Sequence, residues 1–228
     1  MRDIYVYEGT NVLINKYDIR DYKQLDEAEG VIVSLELGKL LSNPLKITSL
    51  FDIQVIHKNL FGQLYDWAGE FRKINIYKEE PVLNGLSVAY SEYKKIVKDI
   101  SLLDTRFKSI NWLSLSHKEV IECIVDIFSK LWRIHCFREG NTRTLTTMLY
   151  LFMKQCGLKV NVEFIGKHSK YFRNALVLAN IDQYSEYEHL TNILQDSITF
   201  KDVPSGKYKT IRDYEVEKYE YRAHKYKD

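Results

Sequence analysis

Apolar residues recur at helical spacing through most of the chain. From Asp21 to Leu41, Leu25, Ala28, Ile32 and Leu35 mark one face, and Asn43-Pro44 ends the helix they predict. A second helix starts near Ser49, carries Leu50, Ile53, Ile56, Leu60, Phe61 and Leu64 along one stripe, and stops at Trp67-Ala68-Gly69. The period then changes. Phe71 to Lys78 alternates apolar and polar side chains, a strand signature, and Leu86 to Tyr90 returns as a second short strand after a turn between Glu79 and Gly85. A two-stranded ribbon is marginal alone, so this hairpin is expected to lie on a helical body. Helices resume over 91–103 and 116–134, the latter with Ile121, Ile124, Phe128 and Leu131 on one face. Beyond a loop from His135 to Gly140, the positions Leu145, Met148, Leu149, Phe152, Met153 and Cys156 form a continuous helical stripe capped by Gly157. Two further helices are predicted over 167–180 and 186–199. No repeat, linker or low-complexity stretch divides the chain. The expectation is one all-α domain over 1–200, followed by a C-terminal tail or helix, 201–228.

Composition sharpens this picture. Only 10 glycines and 3 prolines punctuate 228 residues, which disfavours a turn-rich sandwich or barrel. Hydrophobic residues make up 45%, enough for a substantial core. A net charge of +2 lacks the basic excess of a duplex-binding surface, so no nucleic-acid partner is expected. Cys123, Cys136 and Cys156 are odd in number and lack CxxC spacing; they read as reduced thiols rather than a disulfide framework or a zinc site. The N-terminus lacks an apolar segment of signal-peptide type, and no run of about 18 apolar residues exists. A cytoplasmic protein without a membrane partner is expected, with delivery into another cell by a signal-less secretion route left open. The tail holds 5 of the 17 tyrosines, which read as amphipathic packing, with self-modification of one as the minority reading.

The chemistry concentrates between two strongly periodic helices, in Ile134-His135-Cys136-Phe137-Arg138-Glu139-Gly140-Asn141-Thr142-Arg143. Gly140-Asn141 opens the second helix, and exposed amides at a helix start attract anions. Arg143 adds a forked cation suited to phosphate oxygens. Glu139 is an oxygen ligand placed where a phosphate-bound Mg²⁺ would sit. His135 can accept a proton from an attacking hydroxyl. Taken singly, a histidine between helices is usually structural and Arg138-Glu139 is ordinary solvated charge. Together the four point to phosphoryl or nucleotidyl transfer.

This segment resembles the signature loop of the Fic (Fic/Doc) family, H-P-F-x-[DE]-G-N-G-R-x-x-R. Two other segments match in order: Tyr7 to Leu13 with Asn15 resembles the entry to many Fic domains, and Phe61 to Arg72 with Ile74-Asn75-Ile76 resembles their second helix running into the flap. The resemblance spans roughly residues 5–200 and implies a Fic-type helical core with a short β-hairpin flap, about 70–88, and a signature loop over 135–146. It implies transfer of AMP from ATP, with Mg²⁺, to a Ser, Thr or Tyr hydroxyl of a target protein. By this likeness His135 is the general base and Glu139 the Mg²⁺ ligand. The backbone around Gly140, Asn141 and Thr142, with the Asn141 side chain, holds the phosphates, and Arg143 neutralises them. Lys73, Ile74, Asn75 and Ile76 belong to the flap that aligns the target by main-chain pairing.

The chain departs from the pattern at three positions. Cys136 replaces a proline, Thr142 replaces the second glycine, and Thr146 stands where a second arginine is expected. The last removes one phosphate cation, for which Lys73 and Arg138 are the substitutes considered. Many relatives carry an inhibitory helix with S/T-x-x-x-E-G/N, but Glu29-Gly30 has Leu25 at the Ser/Thr position. Both halves of that brake are therefore expected to be absent, leaving a separate inhibitory antitoxin or a divergent form of regulation. Two rival functions stay open: a Fic-fold transferase using another nucleotide or phosphate donor, and a catalytically weakened binding module.

Overall fold

A computed structural model of the chain describes residues 3–199, 207, 208 and 211. Eight α-helices are present among the described residues: α1 (Tyr22–Ser42), α2 (Asp52–Phe61), α3 (Ile96–Ser109), α4 (His117–Ile134), α5 (Asn141–Gln155), α6 (Val162–Lys167), α7 (Ser169–Leu178) and α8 (Glu188–Thr199). The helix starts follow from capping chemistry. Asp21 accepts the Gln24 N–H at the head of α1, and Ser116 with Glu119 forms a reciprocal capping box on α4.

Helix α4 is the spine. It packs on α3, α5 and α8, while α2 bridges α1 and α5. Ile121, Ile124, Ile127, Phe128, Leu131 and Trp132 are buried along it. Each large apolar side chain buried in full stabilises the fold by about 1.5–3 kcal/mol. The Phe107 and Phe152 rings meet at a tilt, 4.9 Å between centroids, and join α3 to α5. No helix among the described residues is long and apolar enough to cross a membrane.

Three expectations change. The second helix ends at Phe61, not at Gly69. The chain turns there, and Lys16 secures the turn by donating its N–H to the Leu64 carbonyl (2.9 Å) and its ammonium to the Gly62 carbonyl (2.7 Å). The helix expected over 167–180 is α7, and a short helix that was not expected, α6, precedes it with His168 between the two. The flap is extended but forms no strand ladder; among the described residues the one β-bridge joins Val6 and Leu13. Its two arms are fastened by side chains instead. Asn75 Oδ1 accepts the Tyr93 N–H (2.9 Å), Ser87 Oγ accepts the Lys78 N–H (3.3 Å), and main-chain bonds from Glu80 N–H to the Leu86 carbonyl (2.9 Å) and from Gly85 N–H to the Glu80 carbonyl (3.1 Å) close the turn. Most of the tail lies outside the described residues. Tyr208 is buried against Tyr171 and donates to Asp196 (2.7 Å), which makes it a packing residue.

Candidate active site

The end of α4 and the start of α5 set the geometry of the loop between them. His135 caps α4 with φ 51°, a left-handed turn that swings the loop back across the bundle. Its Nδ1 lies 3.3 Å from the Trp132 carbonyl, an acceptor, so Nδ1 carries the proton and Nε2 bears the lone pair. The Tyr90 ring packs on the imidazole at 4.1 Å. Burial, reinforced by the nearby Lys78 and Arg72 charges, holds the His135 pKa well below the usual histidine range. A neutral imidazole with a free Nε2 is the form a general base needs.

Three side chains and one glycine lock the loop. Asn141 Oδ1 accepts the Phe137 N–H (2.9 Å) and its Nδ2 donates to the Phe137 carbonyl (2.8 Å). That side chain thus holds the loop closed while it borders a cavity over the loop. His57, on α2, donates from Nε2 to the Glu139 carbonyl (3.1 Å) while Nδ1 accepts the Gly69 N–H (2.8 Å), and it stacks on Phe137 at 3.8 Å. Arg72 is fully buried and donates to the carbonyls of His135 (2.8 Å) and Ile74 (2.6 Å) and to that of Ser91. Gly140 has φ 76°, and a Cβ there would lie 2.4 Å from Phe61 Cζ. Only glycine fits.

The departures from the family pattern have local explanations. Cys136 is buried, its thiol pushed up to about 12, and its carbonyl accepts the Arg72 N–H (2.9 Å). Thr142 Oγ1 accepts the Trp132 indole N–H (2.9 Å), so the added hydroxyl satisfies a buried donor. Thr146 donates to the Thr142 carbonyl (2.8 Å) within its own helix.

A cavity of about 430 Å³ opens over the loop, lined by Lys78, His135, Glu139, Gly140, Asn141, Thr142, Arg143, Ser169, Lys170 and Arg173. It lies in the size range of small-molecule pockets. All six expected loop residues border it; Lys73, Ile74, Asn75 and Ile76 do not. Lys73 points to solvent and pairs with Glu70 (3.1 Å), and Arg138 pairs with Asp3 (2.7 Å), so neither considered substitute for the missing arginine reaches the cavity. Lys78 does. Its Nζ stands 3.0 Å from Glu139 Oε2. Although burial opposes it, the charge of Lys78 and the Gly140 N–H bond bring the Glu139 pKa down to about 2.

On the other side of Arg143 lies α1. Its buried Glu29 forms an ion pair with Arg143 and accepts the Tyr65 hydroxyl (2.5 Å). An acid of α1 therefore reaches the loop although the Ser/Thr of the inhibitory motif is missing at Leu25, so the acidic half of that motif is not without a partner here. The sequence also missed His57, Lys78, Glu80, Tyr90 and Arg173, since each sits far from the loop in sequence and singly carries no motif.

For a divalent cation, Glu139 offers an anionic carboxylate that borders the cavity. No group of three or more His, Cys, Asp or Glu is gathered for a metal among the described residues. One carboxylate completed by substrate phosphates is a typical Mg²⁺ arrangement, and Glu139 fits it.

Residues 47–153 match the model of the Fic/DOC family. The chain is 27% identical over 188 residues to the protein adenylyltransferase VbhT of Bartonella schoenbuchensis, covering 80% of this chain and 36% of that protein. It is 23% identical over 140 residues to the probable protein adenylyltransferase Fic of Escherichia coli K12, covering 61% of this chain and 66% of that one. The chain thus spans between about a third and two thirds of these relatives' lengths. Among solved structures, the BepC effector protein of Bartonella tribocorum, crystallised with AMPPNP, superposes with a TM-score of 0.72 at 26% identity, over 85% of this chain and 95% of that one. The loop, the helices that hold it and the extended segment beside it thus lie within a Fic-type all-α fold, and residues 47–153 are the part of the chain that matches the Fic/DOC family.

Proposed function

We propose that the chain is a protein adenylyltransferase that moves AMP from ATP to a Ser, Thr or Tyr hydroxyl of a target protein. The observation that carries this reading is the loop geometry: a neutral histidine with a free Nε2 beside an anionic carboxylate and an arginine, around one cavity of about 430 Å³. The relatives named adenylyltransferases and the AMPPNP-bound neighbour support it.

His135 Nε2 takes the proton of the target hydroxyl. The hydroxyl oxygen forms a bond to the α-phosphorus, the bond from that phosphorus to the bridging oxygen breaks, and pyrophosphate leaves with the electron pair. The backbone of Gly140 to Thr142 opens α5 toward the α-phosphate, and Arg143 balances its charge. Glu139 would hold Mg²⁺, which when bound neutralises phosphate charge. The flap, 70–88, lies beside His135 and presents the target. A separate inhibitory partner belongs to the same proposal, since α1 lacks the Ser/Thr expected at Leu25. The domain limits proposed are 1–200.

Intact-mass analysis after incubation with Mg²⁺, ATP and a cell lysate tests this. The expected result is an AMP adduct on a target or on the chain itself, lost by at least about 100-fold in His135→Ala. A phosphate adduct would replace the donor assignment, and undiminished transfer in the variant would overturn the role of His135.

A further inference from the structure

The cavity faces a charge problem. A nucleoside triphosphate brings several negative charges, yet Thr146 supplies no cation where a second arginine is expected, and its hydroxyl is bound to its own helix. Four cationic side chains border the cavity: Arg143, Arg173, Lys170 and Lys78. Their surroundings differ enough to separate them.

Arg143 is already engaged by Glu29 and lies over the Phe61 ring at 4.9 Å. Arg173 is held in a fork by the fully buried Glu80, at 2.5 and 2.9 Å, and Tyr90 donates to the same carboxylate (2.9 Å). That guanidinium is neutralised and fixed; it braces α7 against the flap. Lys170 is exposed at the rim, in the first turn of α7. Lys78 is different. Its side chain is only 26% exposed, it comes from the extended arm of the flap, and its ammonium stands 3.0 Å from Glu139. It is near enough to His135 to be the strongest charge lowering that residue's proton affinity. The Ser87 hydroxyl holds its backbone N–H in place.

We propose that Lys78 is the cation that binds the outer phosphates of the donor, supplied by the flap in place of an arginine on α5. The inference rests on the nucleotidyl-transfer reading above. Glu139 is the acceptor Lys78 has in this structure. Any cation that takes that carboxylate leaves the ammonium with phosphate oxygens as its nearest partners. The segment that would present the target then also grips the donor.

The test is calorimetric titration of the full chain with AMPPNP and with AMP, each in Mg²⁺, for the unaltered protein, Lys78→Met, Lys78→Arg and Lys78→Met combined with Thr146→Arg. AMP lacks the outer phosphates and serves as the internal reference. Lys78→Met is expected to weaken AMPPNP by about 10- to 100-fold while AMP changes little. Lys78→Arg keeps the preference for AMPPNP, and Thr146→Arg restores it in the Met background. A Lys78→Met protein with a native circular-dichroism spectrum that keeps the original AMPPNP-to-AMP ratio overturns the proposal, as does equal weakening of both nucleotides. If the unaltered protein binds neither nucleotide, the nucleotidyl-transfer reading falls and the role of Lys78 falls with it.

Discussion

His57 illustrates how much one side chain outside the motif decides. It is buried on α2, bonded at both ring nitrogens and sandwiched between Phe61 at 4.7 Å and Phe137 at 3.8 Å. Its two partners fix the tautomer: Nδ1 accepts from Gly69, so Nε2 is the donor that holds the Glu139 carbonyl. Burial lowers its pKa to about 4. The unfolded chain titrates His57 near the ordinary value of about 6.5. Between these values the unfolded state binds the extra proton, so the stabilisation present above pH 6.5 is lost as pH falls toward 4. From pH 7 to pH 5 His57 alone should remove about 2 kcal/mol of stability, and His135, also depressed, acts in the same direction. Glu139 adds nothing in this window, because its loss falls between the ordinary carboxylate range and about 2. Urea unfolding at the two pH values measures the difference. His57→Gln should flatten the profile, and an unchanged slope would show that another group carries it.

At the level of elements, legibility depended on whether a segment's partner was the solvent–core boundary or another piece of chain. Helices α4 and α5 were plain because burial dictates their periodicity and because Ser116 and Gly157 mark their ends; α1 was located by Asp21, but of its expected face Leu35 is exposed, and Glu29 and Val33 are buried instead. The alternation over 71–78 held only in part: Ile74 is buried and Lys73 is exposed, but the charged Arg72 is buried as well. A strand, however, needs a main-chain partner, which a side-chain pattern does not specify. Arg72 takes that place. Its guanidinium ties the carbonyls of Ile74 and Ser91, one on each arm, to those of His135 and Ile134, so one side chain does what a ladder would do. Arg72→Gln cannot span all of these carbonyls and leaves some buried and unpaired. Hydrogen exchange at 74–91 should then accelerate, with the opening free energy reduced by about 1–3 kcal/mol, while the middle of α4 around Ile124 stays protected. Uniform acceleration over both segments would mean that Arg72 supports the whole fold rather than the flap.

For the whole molecule, the near-neutral charge concealed a strongly uneven distribution. The net charge is +2, yet Lys78, Arg143, Lys170 and Arg173 converge on one cavity from the flap, α5 and α7. The contiguous loop from His135 to Arg143 was readable because its spacing is local; the groups that tune it arrive from elements brought together only by folding. Glu29 is the clearest case. It lies on α1, joins Arg143 on α5 and Tyr65 beyond α2, and lines a second cavity of about 280 Å³ that shares Glu139 and Arg143 with the first. The Tyr65 phenol stays protonated as the donor, since burial and the neighbouring Glu29 charge push its pKa upward. Glu29 therefore competes with phosphate for the Arg143 guanidinium, whose side chain is 42% exposed and open to the solvent. Glu29→Gln removes the competing charge while keeping an acceptor for Tyr65. AMPPNP should then bind about 3- to 10-fold more tightly at about 0.05 M salt, and the gain should shrink at about 0.5 M as screening weakens the freed charge. The same substitution should cost only about 1–2 kcal/mol of stability, because the exposed Arg143 is not left stranded in the core. Weaker binding in the folded variant would instead assign Glu29 the task of aiming Arg143 at the phosphates. Titrations at the two salt concentrations, paired with urea unfolding, separate these outcomes.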